Sequence, residues 1–120
     1  MRRYDRNVMT GITTHVLDTS LGRPAAGVGI CLEFRRGGKW VRVGEGTTDV
    51  DGRLRTLTGN GSVKRGTYRL TFDTAAYFRT SEREAFFPQV TIEFDVRDGA
   101  QHHHVPLLLS PFGYSTYRGS

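Results

Sequence analysis

At 120 residues, the chain has room for one domain with one hydrophobic core. No apolar run approaches the roughly 18 residues that a membrane-spanning helix needs, and the single cysteine excludes both a disulfide framework and a multi-cysteine zinc site. The net charge of +5 favours anionic partners, but the charges are interspersed and no nucleic-acid-binding motif is present, so neither nucleic acid nor a membrane is an expected partner.

The first residues are basic and polar, with Arg2, Arg3 and Arg6 followed by no apolar segment. A secretory signal would place an apolar stretch there, so the expected location is the cytoplasm. Cys31 lies in an apolar run and is expected to be a buried small hydrophobe.

Apolar and polar residues alternate in three segments, at 28–35, 67–72 and 90–96, which is the pattern of strands with one buried face. Valine, isoleucine and threonine outnumber alanine and leucine, a composition typical of strands. A short helix is predicted after a polar N-cap, either Asp73 or Thr74. In chain order, strands are predicted at 12–18, 28–34, 39–47, 67–72, 90–96, 102–109 and 114–118, and the helix at 74–79.

Glycine-containing turns separate these strands. Gly37 and Gly38 predict a tight hairpin, and Asp98 with Gly99 predicts a second one. Seven or eight short strands in a chain of this length predict an all-β fold, a two-sheet antiparallel sandwich.

Four histidines could carry chemistry: His15, His102, His103 and His104. Because successive side chains of a strand point to opposite faces, His102 and His104 share a face and His103 points away. Two imidazoles on one face can transfer protons or bind a metal. With His15 they would supply three zinc ligands if the first strand lies beside the histidine strand. The alternative is that each is a partly exposed or hydrogen-bonded strand histidine without a catalytic role.

Two further features are ambiguous from their residues alone. Arg53 follows the Asp51–Gly52 turn, where an arginine is usually solvated. Tyr114 and Tyr117 make the last predicted strand aromatic, although chain ends are normally polar and loose. This segment is expected to pack against something, the alternative being an ordinary edge strand followed by a vector-derived Gly-Ser.

Four segments, taken together, resemble the transthyretin-like family. They are THVLDT at 14–19 with GRPA at 22–25, TDVDGR at 48–53, HVPLLLSP at 104–111, and YRGS at 117–120. The last is similar to the tetrapeptide that marks the enzymatic branch, the 5-hydroxyisourate hydrolases, and distinguishes it from the hormone carriers. The resemblance implies a transthyretin-like hydrolase domain over residues 9–120, after an N-terminal extension at 1–8 that is expected to be disordered.

The resemblance implies two four-stranded sheets with one short helix, and a homotetramer with active sites at subunit interfaces. It implies substrate-binding roles for His15, Arg53, Tyr117, Arg118 and Gly119. The catalytic residues that it implies are His15, Arg53, His104 and Ser120.

The implied activity is the hydrolysis of 5-hydroxyisourate to 2-oxo-4-hydroxy-4-carboxy-5-ureidoimidazoline in urate degradation, with no cofactor and no metal. A neutral imidazole suits the deprotonation of water, and a guanidinium suits an anionic ring and a developing oxyanion. Which histidine is the base stays open. The alternative function is small-molecule binding without catalysis, as in a transthyretin-like carrier. A weaker alternative is a zinc-dependent hydrolase.

Overall fold

The computed structural model describes residues 11–59 and 61–120, so the expected extension at 1–8 and the domain start at Met9 lie outside the described residues. The described part of the chain contains nine strands and one helix. Their bounds are β1 Ile12–Asp18, β2 Arg23–Pro24, β3 Gly29–Arg36, β4 Lys39–Thr47, β5 Arg53–Leu54, β6 Gly66–Asp73, α1 Thr74–Arg79, β7 Val90–Val96, β8 His103–Ser110 and β9 Gly113–Thr116.

The strands form two sheets, which confirms the predicted all-β sandwich. One sheet has the order β4-β3-β6-β7. The other has the order β2-β1-β8-β9, and β5 also pairs with β1. The expected four-stranded count is therefore wrong for this sheet, because two strands of two residues each pair with successive parts of β1. Neither is long enough to show an alternating pattern in the sequence.

The strand pairs of the described chain are antiparallel, as predicted, except that β1 and β8 run parallel. Ile12 lies opposite His103, and Asp18 lies opposite Leu109. Alternation in a sequence reports which residues share a face, but it carries no information on strand direction. The parallel pairing matters for function, because it sets the N-terminal half of β1 beside the histidines.

Of the two predicted hairpins, one is confirmed and one is wrong. Gly37 and Gly38 join β3 to β4 and have φ values of 58° and 79°, as a tight hairpin turn requires. The loop containing Asp98 and Gly99 instead connects β7 to β8, which lie in different sheets. Val63 donates a backbone hydrogen bond of 3.0 Å to the Gly99 carbonyl, so this loop packs on the chain before β6.

Inward-facing residues of both sheets form one hydrophobic core. The helix α1 contributes to it, and Asp73 is the N-cap, since its Oδ1 accepts a 3.1 Å hydrogen bond from the Ala76 amide. The fully buried core side chains include Ile12, Val16, Leu32, Leu70, Phe72, Phe78, Leu107 and Leu109.

The helix in the described ranges does not have the length and apolarity to cross a bilayer. The cytoplasmic location stays a prediction.

Cys31 is half-buried, so the expectation that it is a buried small hydrophobe is wrong. Its neighbours Ile30 and Leu32 occupy the core, and the alternation of the strand turns Cys31 outward. It lies with Glu45 and Thr71 in a hollow of about 570 Å³ on the outer face of the β4-β3-β6-β7 sheet.

A buried carboxylate ties β1 to the helix and the loop that follows it. Asp18 is fully buried, and it accepts hydrogen bonds from Ser20, Leu21, the Tyr77 hydroxyl at 2.7 Å and the Arg83 guanidinium at 2.7 Å. Burial alone would raise the pKa of Asp18, but hydrogen bonds from Arg83, Ser20 and Tyr77 outweigh it and lower the pKa to about 2.

Asp18→Asn is expected to destabilise the protein most near neutral pH and least in acid. Because folding lowers the pKa of Asp18 from 3.8 to about 2, the ionised carboxylate stabilises the folded state above pH 3.8. That stabilisation, about 2 kcal/mol, is lost as the pH falls towards 2. Urea unfolding of both proteins at pH 7 and in acid measures the difference. Asp95→Asn, at an exposed bond to Thr67, is the matched control, with an effect below about 0.5 kcal/mol. A difference in unfolding free energy between wild type and Asp18→Asn that does not change with pH would contradict the prediction.

Candidate active site

A pocket of about 230 Å³ lies on the outer face of the β2-β1-β8-β9 sheet. It forms there because β1 pairs with β8 on one side and with β5 on the other, so these three chain segments meet, and Ser120 completes the lining. The strand alternation therefore predicts the faces of these residues, and the pairing brings them together. The residues lining the pocket are Thr13, Thr14, Arg53, Arg55, His102, His104 and Ser120.

His102 and His104 share this outer face, as predicted, and a threonine hydroxyl connects them. The Thr13 Oγ1 lies 2.7 Å from His102 Nε2 and 2.8 Å from His104 Nδ1. His103 points the other way and is 4% exposed. Burial lowers the pKa of His104, and repulsion of a protonated His104 ring by Arg53, Arg55 and the other imidazoles, His102 and His15, lowers it further. His104 is therefore a neutral imidazole at neutral pH, with Nε2 not used by Thr13.

His15 lies beside the pocket. Its ring centroid is 6.5 Å from that of His104. His15 Nε2 lies 2.8 Å from the Asp51 carbonyl oxygen, and because a carbonyl only accepts, Nε2 carries the hydrogen and donates it. In the tautomer with its hydrogen on Nε2, Nδ1 has a free lone pair. A turn carbonyl thus sets both the orientation and the tautomer of this imidazole.

Arg53 is held at the pocket by the turn that precedes it. It lies opposite His15 in the β1–β5 pair, which places both on the same face. The Asp49 carboxylate accepts backbone hydrogen bonds of 2.9 Å from Asp51 and from Arg53, and the Arg53 bond is the main cause of the lowered pKa of Asp49. Gly52 has φ 78°, and a Cβ there would lie 2.4 Å from the Val16 carbonyl oxygen. The turn thus requires both the aspartate and the glycine.

Sequence reasoning missed several residues of this site, among them Thr13, Arg55 and Asp49. Thr13 and Arg55 line the pocket, and Asp49 positions Arg53. Asp49 has a sequence signal, because an aspartate four residues before an arginine and three before a glycine is typical of a side-chain-closed turn. Thr13 and Arg55 have none, since their roles depend on strand pairing.

The C-terminal residues reach the histidines. The Gly119 amide donates a 2.7 Å hydrogen bond to the His104 carbonyl oxygen, and Ser120 lines the pocket. A Cβ at Gly119 would lie 2.6 Å from His104 Cδ2, so a glycine is required for the backbone to pack against the imidazole. Gly119 therefore positions the His104 ring.

Tyr117 and Arg118 lie away from this pocket within the single chain. They line a second pocket of about 240 Å³, between β7 and the end of β9, with Phe94 and His103. Arg118 Nη2 donates a 3.2 Å hydrogen bond to Gln101 Oε1. The structure therefore brings His15, Arg53, His104, Gly119 and Ser120 together, while substrate-binding roles for Tyr117 and Arg118 stay predictions.

The three-histidine zinc arrangement does not form. Across 11–59 and 61–120, no three histidine, cysteine, aspartate or glutamate side chains converge in a way that could hold a metal ion. The Thr13 hydroxyl lies between His102 and His104 and occupies one ring nitrogen of each. The site instead combines imidazoles, which in their neutral form can accept a proton from water, with guanidinium groups that stabilise anions.

The fold and this pocket together define a β-sandwich protein with a histidine–arginine site on the outer face of one sheet. The chain belongs to the HIUase/transthyretin family, whose model matches residues 12–119. The 5-hydroxyisourate hydrolase of Deinococcus radiodurans is 48% identical over 114 residues, which cover 92% of this chain and 96% of that protein. The mouse 5-hydroxyisourate hydrolase is 43% identical over 113 residues, covering 91% and 94%.

Solved structures agree with this family membership. The 5-hydroxyisourate hydrolase of Klebsiella pneumoniae superposes with a TM-score of 0.80 at 38% identity, covering 93% of this chain and all of that one. Sea bream transthyretin, in complex with thyroxine, superposes with a TM-score of 0.85 at 31% identity, covering 90% and 93%. The comparisons confirm the family resemblance read from the sequence, and the fold is shared by 5-hydroxyisourate hydrolases and by a transthyretin that binds thyroxine.

Proposed function

We propose that this protein is an enzyme that hydrolyses 5-hydroxyisourate to 2-oxo-4-hydroxy-4-carboxy-5-ureidoimidazoline in urate degradation. The observation that carries the proposal is the convergence of His104, Arg53 and Ser120 on one pocket, with His15 beside it. The curated relatives described as 5-hydroxyisourate hydrolases support it. Binding of a small ligand alone does not require neutral imidazoles with free ring nitrogens.

In the proposed mechanism, the role of each side chain follows from its charge and from the atoms that it can direct at the substrate. His104 Nε2 accepts a proton from water as the water attacks the ring carbonyl, because this imidazole is kept neutral by burial and by neighbouring positive charges. The Arg53 guanidinium binds the anionic ring and stabilises the oxyanion that develops on the carbonyl. His15 and the Ser120 hydroxyl orient the substrate and the water.

The decay of freshly generated 5-hydroxyisourate, followed by absorbance with and without the protein, tests the proposed activity. We expect a rate that rises in proportion to protein concentration. The heat-denatured protein is the control, since its amino-acid composition is the same. A decay rate that is independent of the folded protein would contradict the proposed activity.

The second candidate function is small-molecule binding without catalysis. It is favoured by the structural likeness to sea bream transthyretin, solved in complex with thyroxine. A saturable calorimetric signal with an iodinated aromatic anion, together with no acceleration of 5-hydroxyisourate decay, would support this candidate and overturn the first.

We also propose that the protein assembles as a homotetramer with the pocket at a subunit interface. Large apolar side chains are exposed in the single chain: Leu21 at 45%, Phe86 at 66%, Phe112 at 66% and Tyr117 at 55%. The outer strands β4, β7 and β9 also have unpaired edges in the described chain, which proteins commonly cover by symmetric assembly. A fully active monomer in sedimentation at micromolar concentration would contradict the tetramer.

Arg53→Lys is expected to lower turnover by about 10- to 100-fold. Lysine keeps the positive charge but loses the planar two-point donor that fits an oxyanion. Steady-state kinetics of this variant and of Arg36→Lys, at an exposed position in the other sheet, measure the effect. Full activity of Arg53→Lys would show that Arg53 is only a solvated turn residue.

Activity is expected to survive exhaustive chelation. An arginine–histidine site stabilises the oxyanion and activates water without a Lewis acid. The measurement is turnover before and after dialysis against a chelator, on protein purified without an affinity tag. Loss of activity that zinc restores would support the zinc-dependent alternative.

A further inference from the structure

The Thr13 hydroxyl makes the two neighbouring imidazoles depend on each other. It lies within hydrogen-bond distance of His102 Nε2 and His104 Nδ1, at 2.7 and 2.8 Å. A hydroxyl has one hydrogen to donate, so it donates to one ring and accepts from the other. If His104 Nδ1–H donates to Thr13, then Thr13 donates to His102 Nε2. Both neutral rings then carry their hydrogen on Nδ1. In the opposite direction, both carry it on Nε2.

We propose that Thr13 and His102 are positioning residues that form a proton relay to His104. The proposal deepens the proposed hydrolase site, and its kinetic test rests on that function. In the resting state, both imidazoles are Nδ1–H, which leaves His104 Nε2 with the lone pair that a base needs. Thr13 is 4% exposed, so bulk water does not readily replace its hydroxyl between the rings.

The relay conserves protons at each step. When His104 Nε2 takes a proton from the attacking water, the ring becomes an imidazolium. Its Nδ1 proton passes to Thr13 Oγ1 as the Thr13 proton passes to His102 Nε2. His104 is then neutral with its hydrogen on Nε2, and His102 carries the charge. When His104 Nε2 then donates its proton to the leaving ring nitrogen, the other two protons move back. His102 Nε2 returns a proton to Thr13 Oγ1, and Thr13 returns one to His104 Nδ1.

The charges around His104 favour this displacement. His15, Arg53 and Arg55 all disfavour a positive charge on the His104 ring. His102 lies farther along the same face, with its ring centroid 5.9 Å from that of His104. The pKa of His102 is lowered mainly by its own burial, and His103 is the one residue that lowers it further. The His103 ring points to the opposite face of the strand. The relay therefore moves the transient charge away from the two arginines.

Thr13→Val and Thr13→Ser distinguish the relay from a purely structural contact. Valine keeps the shape but removes the hydroxyl, whereas serine keeps the hydroxyl. Thr19→Val is the matched control, because the Thr19 hydroxyl also donates across β1 and β8, to the Leu109 carbonyl, and contacts no histidine. We expect Thr13→Val to lower kcat by about 10- to 100-fold with little change in KM. We expect Thr13→Ser and Thr19→Val to stay near wild type.

Ring 15N chemical shifts of histidine-labelled protein, recorded above the histidine pKa values, provide a readout independent of activity. In wild type and Thr13→Ser, we expect His102 and His104 to show the Nδ1–H tautomer. In Thr13→Val, we expect His104 to change to the Nε2–H tautomer that free imidazole side chains favour. Different tautomers at His102 and His104 in the wild-type protein would overturn the relay. A Thr13→Val variant that loses activity while the 15N shifts of its His104 ring stay unchanged would also overturn it. Because the shifts need no substrate, they test the relay even if the proposed hydrolase activity fails.

Discussion

Replacing His104 by alanine is expected to slow the hydrolysis of 5-hydroxyisourate by about 10²- to 10⁴-fold, equivalent to about 3–5 kcal/mol of barrier. The variant loses the neutral imidazole that lines the pocket, and it also leaves Thr13 without one of its two partners. His15→Ala is expected to cost at least about 10²-fold, because the ring oriented by the Asp51 carbonyl is lost. Turnover is measured with the circular dichroism spectrum recorded beside it.

A histidine on the opposite face of the same strand serves as the control. His103 is buried and its Nδ1 lies 3.0 Å from the Gln101 carbonyl oxygen, away from the pocket. His103→Gln keeps a polar side chain and is expected to leave turnover within a few-fold of wild type. Near-normal turnover of a folded His104→Ala protein would show that this imidazole is not catalytic.

Removing residues 117–120 is expected to abolish turnover. The deletion takes away the Ser120 side chain that lines the pocket and the Gly119 amide that bonds to the His104 backbone. Adding an affinity tag after Ser120 is expected to cost about 10²-fold, because the added chain starts inside a pocket where a misplacement of about 1 Å has effects of that size. Turnover of proteins tagged at either end, assayed side by side, measures this effect.

A single added methyl group tests the same segment without changing its length. Gly119→Ala places a Cβ within 2.6 Å of His104 Cδ2, so the ring or the terminal backbone has to shift. Gly113→Ala is the matched control, because the nearest atom to its Cβ, the Ser110 hydroxyl oxygen, is 3.7 Å away. Equal activity of the two tagged proteins, or of the two alanine variants, would mean that the terminal tetrapeptide has no part in catalysis.

The sequence by itself determined the local features of this protein. The bounds of β1, β4 and β7 match the predicted strands. In β7 the residues follow the period of two that one buried face imposes on a strand. The Gly37–Gly38 hairpin and the Asp73 cap were also predictable, since their requirements lie within a few residues of one another. The shared face of His102 and His104 follows from the same alternation.

The tertiary structure decided every feature that depends on which distant segments become neighbours. Alternation is the same for parallel and antiparallel strands, so it could not show that β1 runs parallel to β8 and brings Thr13 between His102 and His104. A turn sequence predicts that the chain reverses direction, but it does not predict which strand the next one pairs with. The loop at Asp98 therefore looked like a hairpin, although it joins strands of two different sheets. Arg55 lines the pocket and Tyr117 lies away from it, and both placements depend on packing between segments that are far apart in the chain. A local sequence period carries no information on such packing.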